Sequence, residues 1–218
     1  MYVPEHFASD DMGLARALVD AHAFGMLVAG RGDGAVEIAH VPFVLDPGEP
    51  FGRLRAHVAR ANPIASMLER PVPVVAVFAG PHGYVTPRWY EQPRDNVPTW
   101  NYAAVHVHGT ARRMEDETDV RRLLADLTAR HERGAPEPWT LEGLAPDRLG
   151  RLLRGITAFA IEVTRVESKR KLSQNKSAAD RSGVIAGLRA RGDDGDAALA
   201  RLMDDESAFL VDTGTLPP

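Results

Sequence analysis

The sequence predicts an α+β domain built on a small antiparallel barrel. Three observations carry this. Six or so strand-like segments are separated by turn chemistry, several of them are spaced as hairpins, and segments of helical periodicity are inserted between and after them. Pattern alone leaves a sandwich open as the alternative.

Taken in order, Asp10 and Asp11 supply an N-cap and a first-turn acid for a helix through about His22, with Leu14, Ala17, Leu18 and Ala21 on one face. Phe24 to Ala29 is an apolar run read as a buried strand. Arg31-Gly-Asp-Gly is turn chemistry, and Val36 to Leu45 reads as a second strand. Asp46-Pro-Gly-Glu-Pro is another turn, and a third strand runs from about Gly52 to Val58, giving two successive hairpins in a meander. Asn62-Pro63 caps and opens a short helix to about Glu69, because proline suits the first helical position. Val72 to Phe78 is a β-branched strand, and Gly80 to Pro98 reads as a long irregular excursion whose aromatics favour order. A strand from Tyr102 to Met114, helices at 115–131 and 147–154, a strand at 156–166 and helices at 177–191 and 196–205 complete the plan. The tail ending in Pro217-Pro218 reads as loose.

A chain of 218 residues, 44% hydrophobic and 26% charged, is long and apolar enough to bury a core without disulfides. It contains no cysteine, which excludes disulfides, thiol catalysis and thiolate metal ligands. No apolar run reaches bilayer length and the start lacks the plan of a secretory signal, so the expected location is the cytoplasm, with no membrane partner. The net charge of −4 argues against a surface that grips nucleic acid everywhere. Residues 165–191, however, carry eight Lys or Arg against Glu167 and Asp180, a net +6 that leaves −10 on the rest. That stretch reads as a solvated basic face or as a site for phosphate, on a ligand or on DNA.

His106 and His108 share a strand face and with His40 or His57 make a conceivable histidine metal site, but no HExxH helix and no carboxylate at ligand spacing accompany them. No metal site is expected. There is no G-x-S-x-G elbow, no Walker A loop and no G-x-G-x-x-G after a strand, so no catalytic residue is named. Three stretches are polar or aromatic where plain structure would be simpler. In the first, His40-Val41-Pro42, a proline in a strand marks either an opening towards a ligand or a blunted edge. In the second, His57, Arg60 and Asn62 at a strand-to-helix junction suit an anion, or form an ordinary cap. In the third, Thr99-Trp100-Asn101 offers a stacking wall with polar neighbours, or aromatics that pack back on the barrel.

The segments MYVPEHF at 1–7, HVPF at 40–43, HVARANP at 57–63, FAGPHGYVTPRWY at 78–90, NVPTWNYAAVHVHG at 96–109 and KLSQNK at 171–176 resemble, in order, the PaiB-like family of negative transcriptional regulators. The resemblance covers nearly the whole chain to about residue 205. It implies a split β-barrel like that of pyridoxamine-phosphate-oxidase-type flavoproteins, a homodimer, and FMN held at the subunit interface. It places His40, Val41 and Pro42 along the flavin and His57, Arg60 and Asn62 at its phosphate, and it makes Thr99, Trp100, Asn101, Lys171, Gln174 and Asn175 candidates for contributions across the dimer. The corresponding division is a flavin-binding barrel at 1–170 and a basic helical extension at 171–218. Alternatives are an FMN-dependent oxidoreductase without a DNA role and a haem-binding barrel with His40 or His57 as ligand. For DNA, the last two predicted helices resemble a helix-turn-helix only loosely, because Asp196, Asp204, Asp205 and Glu206 on the second would repel phosphates.

Overall fold

The computed structural model describes residues 1–205; residues 206–218, with Glu206 and the tail expected to be loose, lie outside the described residues. Its strands are β1 (Phe24–Gly30), β2 (Val36–Pro42), β3 (Val44–Asp46), β4 (Arg53–Ala59), β5 (Val72–Val85), β6 (Thr99–Arg113) and β7 (Ile156–Lys171). They form one antiparallel sheet in the order β2-β1-β5-β6-β7-β4-β3. The helices are α1 (Met12–Ala21), α2 (Pro63–Met67), α3 (Glu117–His131), α4 (Pro146–Arg154), α5 (Ala178–Arg191) and α6 (Asp196–Asp204).

Local chemistry explains the helix starts. The Asp11 side chain accepts from Leu14 N, Asn62 from Ile64 N, Asp116 from Thr118 N and Ser177 from Asp180 N. The strands depart from the sequence plan in three places. The expected strand 36–45 is two strands, because Pro42 has no N–H to give and Phe43 N turns to Ala23 O at 2.9 Å. Phe43 is 1% exposed, edge-on to Phe159, so β2 pairs with β1 while β3 pairs with β4 at the opposite edge of the sheet. The simple meander is replaced by this switch. Second, β5 runs on through Gly80-Pro81 to Val85, shrinking the expected excursion to two 3₁₀ turns, Pro87–Trp89 and Pro93–Asp95, before β6 starts. The packing there is close: a Cβ on Gly80 would stand 3.1 Å from Leu18 Cδ1 and 3.3 Å from Ala103 O. Third, β7 continues to Lys171, with Ser168, Lys169 and Arg170 buried in it.

The described chain divides into two compact units. The first comprises 1–22, 78–106 and 167–205; the second comprises 23–77 and 107–166. In the first, α5 and α6 form a hairpin turned by Gly192 at φ 68°, whose N–H returns to Leu188 O. Two glycines of α5 form a notch for Trp89: a Cβ on Gly183 would lie 2.2 Å from Trp89 O, and one on Gly187 2.3 Å from its ring. Arg191 lies over the same ring, its centre 5.2 Å away, and its guanidinium pairs with buried Asp196 at 2.5 Å. In the second unit, buried Arg55 bridges Asp46 at 2.5 Å and Asp126 at 2.7 Å. Burial alone would lower the Arg55 pKa, but these two carboxylates raise it. Burial likewise works against ionised Asp46, and the guanidinium groups of Arg55 and Arg53 hold its carboxyl below the usual range.

One sheet face of the second unit is apolar and open. The register sets Met26 against His40 and Val28 against Ile38, with Val77 and Val75 on the other flank. Phe24, Val36 and Ile38 on this face are each more than half exposed. Period-two alternation puts all of them on the same side. No helix among the described residues is long and apolar enough to cross a membrane.

Candidate functional site

The candidate residues fall into two groups, one in each unit. In the second unit, His40 projects from edge strand β2 and is exposed, its ring 6.2 Å from that of Phe24, while Val41 is buried and Pro42 half-buried. His57 on β4 is half-buried opposite Ala158. Its Nδ1 is buried and has no hydrogen-bond partner. Burial lowers its pKa, so the imidazole is held neutral with one ring nitrogen unanswered.

Arg60 and Asn62 are more committed than the sequence implied. Arg60 Nε donates to Arg154 O at 2.7 Å and Nη2 to Ile156 O at 3.3 Å, so the guanidinium closes the end of α4. The Asn62 side-chain oxygen accepts from Ile64 N at 2.9 Å, an ordinary cap on a five-residue helix.

In the first unit, Thr99, Asn101, Lys171 and Asn175 come together around a cavity of about 300 Å³, which Tyr90, Asn96, Ser173 and Lys176 also line. Asn101 is 1% exposed. Its Nδ2 donates to Ser173 Oγ at 2.9 Å, and its Oδ1 is buried without a partner. Ser173 has φ 63°, a left-handed conformation that costs a non-glycine residue about 1–2 kcal/mol. The Asn101 bond and the Lys176 N–H on Ser173 O, 3.0 Å, hold it there.

Lys171 Nζ donates to Thr99 Oγ1 and to Trp100 O, the latter at 2.8 Å. Burial, and then the nearby Lys169 ammonium, hold Lys171 below the usual lysine value. Lys176 Nζ donates to Asn96 Oδ1 at 2.6 Å and lies 5.0 Å from the centre of the Tyr90 ring. Burial raises the Tyr90 phenol, an effect the Ser173 hydroxyl opposes.

Two candidates point elsewhere. Trp100 is half exposed and stacks on His82, with ring centres 5.9 Å apart. Gln174 turns back on its own loop, accepting from Leu172 N at 2.7 Å and donating to Arg170 O at 2.5 Å. Tyr90, Asn96 and Ser173 were not singled out by sequence reasoning. Tyr90 and Asn96 sit inside matched motifs and Ser173 inside KLSQNK, but nothing local marks a serine for positive φ.

The basic stretch 165–191 is not a free phosphate-binding face. Arg165 Nη2 lies 3.2 Å from the His108 ring nitrogens. Lys169 donates to Tyr2 O and lies over the Tyr2 and Tyr102 rings, while Arg170 is buried. Arg181 donates to Met203 O, and Arg189 and Arg191 pair with Asp204 and Asp196. Asp196, read from sequence as a repelling surface charge, is 1% exposed, and Arg191 holds its pKa down. Helix α6 is also largely buried, with Leu199, Ala200, Leu202 and Met203 inside, which does not suit a projecting recognition helix.

Comparison with known proteins adds identity to this geometry. Residues 1–165 match the family described as "Putative FMN-binding domain". The Bacillus subtilis protein "Protease synthase and sporulation protein PAI 2" is 31% identical over 206 residues, 94% of this chain and 98% of that protein. Among solved structures, the conserved hypothetical protein Rv2991 from Mycobacterium tuberculosis superposes with a TM-score of 0.57 at 13% identity, covering 81% of this chain and 94% of that one. The FAD and haem binding protein from Mycobacterium smegmatis superposes with a TM-score of 0.56 at 18% identity, covering 82% and 79%. At such identities these two likenesses speak to fold alone.

Proposed function

The chain belongs to this family of FMN-binding domains, a PaiB-like split barrel whose cofactor is FMN, and from that premise we propose that it works as a homodimeric flavoprotein with a regulatory output. The flavin lies along His40, Val41 and Pro42 and near His57, Arg60 and Asn62 of one protomer. Thr99, Asn101, Lys171 and Asn175 contribute from the other.

The observation that carries the site is that His57 Nδ1 and Asn101 Oδ1, both within the matched motifs, are among the buried side-chain atoms without a hydrogen-bond partner. A buried polar atom left without a partner costs about 1–3 kcal/mol, so it persists more readily where a ligand supplies the missing bond. The donor set also suits FMN in kind: apolar Val41 and Pro42 for ring faces, a neutral imidazole and an amide for polar edges, and lysine for charge. When bound, FMN supplies one- and two-electron redox chemistry, while the protein sets binding and orientation.

The homodimer is supported by the open face around Phe24, Met26, Ile38 and His40, since large apolar patches on a soluble domain mark contact surfaces. For the regulatory output, the internal engagement of residues 165–191 favours an effect carried by the flavin state or by a protein partner over direct DNA binding. The same observation favours the plain flavin oxidoreductase as the second reading. Reduction of the bound flavin by NADH or NADPH would support the enzyme, and salt-dependent retention of promoter DNA over competitor would support direct repression. The site is tested by His57→Phe and Asn101→Leu. Each is expected to lower FMN occupancy by about 10-fold or more, from the loss of one buried hydrogen bond, while the flavin-free protein remains folded. Unchanged FMN affinity in both would sink the site.

A further inference from the structure

Lys171 and Lys176 differ from Arg189 and Arg191 of the C-terminal helices. Arg189 and Arg191 are paired with carboxylates at 2.6 and 2.5 Å. The two lysines bond only neutral oxygens: the Thr99 hydroxyl and Trp100 carbonyl for Lys171, and the Asn96 amide for Lys176. An ammonium has three hydrogens to give, so both retain donor capacity at the cavity they line. The one carboxylate of the lining, Asp95, is exposed and leaves the pocket net positive.

The wall carries a second signal of different sign. Asn101, 1% exposed, presents a buried side-chain oxygen with no donor. A bare anion would not answer that acceptor. A ligand with an anionic group for the lysines and a neighbouring O–H for Asn101 would answer both.

We infer that the cavity between Tyr90, Asn101, Lys171 and Lys176 binds the phosphate of a hydroxyl-bearing phosphate ester. A cavity of about 300 Å³ is large enough for such a head group. The ester has two possible sources, the ribityl phosphate of FMN itself or a separate small phosphate ester bound beside the flavin. The first source rests on the flavin reading above; the second does not.

The experiment measures FMN and riboflavin affinity by flavin fluorescence, and glycerol 3-phosphate affinity by calorimetry, on the full chain with and without flavin. Lys171→Met and Lys176→Met are compared with Lys171→Arg and Lys176→Arg, and melting curves confirm folding. Loss of a charge-assisted bond weakens binding by about 10- to 100-fold, and arginine restores most of it. If FMN weakens in the methionine variants while riboflavin does not, the phosphate is the flavin's own. If both flavins are unaffected and glycerol 3-phosphate weakens, the phosphate belongs to a separate ester. If no flavin binds but glycerol 3-phosphate still depends on the lysines, the flavin reading fails and the site stands. Equal weakening of FMN and riboflavin, or no weakening of any of the three ligands, overturns the inference.

Discussion

Replacing Gly183 by alanine puts a methyl group 2.2 Å from Trp89 O, against an ordinary contact of 3.4 Å or more. The neighbour is backbone, so no side chain can swing aside, and either α5 or the Pro87–Trp89 turn must shift. Alanine is the better helix former by about 1 kcal/mol, while overpacking a fitted contact costs about 1–3 kcal/mol. The net expectation is a loss of about 1 kcal/mol, with the contact deciding the sign over the propensity. Gly150 in α4 is the control. There the nearest atom to an added Cβ is Arg154 Nη1 at 3.7 Å, so Gly150→Ala is expected to gain about 0.5–1 kcal/mol. Thermal or urea unfolding should therefore show the same substitution acting in opposite directions, by roughly 2–4 °C per kcal/mol. Because Tyr90 follows Trp89 and lines the cavity, Gly183→Ala should also weaken ligand binding there. A Gly183→Ala protein as stable as the parent would show that Trp89 is not seated in the α5 notch.

Three further outcomes are expected. His57 has its pKa lowered by burial, so the unfolded chain binds its proton more readily; the stabilisation is present above about pH 6.5 and falls as pH drops towards the folded value. Urea melts at pH 7.5 and 5.5 should show this loss in the parent and less of it in His57→Gln. Arg55→Met removes the shared partner of Asp46 and Asp126 and should cost about 2–4 kcal/mol at pH 7, with a smaller loss as pH falls below the usual carboxylate range and Asp46 protonates; a flat difference across pH would contradict the ion-pair account. Ile38→Asp on the open sheet face should yield monomers by sedimentation without loss of helix signal, whereas an unchanged dimer would move the interface elsewhere.

Much of this architecture is legible in sequence where the determining chemistry is local. Asp11, Asn62-Pro63 and Ser177 mark helix starts through their own side chains, and the structure uses them that way. What was not legible depends on distant partners. Gly80-Pro81 looks like a breaker, yet β5 passes through it, with Leu18 and Ala103 packed close against the Gly80 backbone. The break at Phe43 requires Ala23 O and the Phe159 ring, twenty and more residues away. Lys169, Arg170 and Asp196 read as solvated charges, since burial of a charge is discounted until its partners are known.

The site divides in the same way. His57 and Asn101 stand out in the sequence as polar residues in strand contexts that do not need them, and each carries a buried atom without a partner. Gln174 was visible too, but its amide folds onto its own loop, which spacing does not reveal. Ser173 and Tyr90 entered only through geometry.

The claim that most of this depends on is FMN itself. The visible spectrum of the purified protein, before and after incubation with FMN, with the chromophore then released and identified, tests it most directly. The expected result is a flavin spectrum with FMN approaching one per protomer. A protein that stays colourless and takes up no FMN, or that shows a haem Soret band in its place, would contradict it.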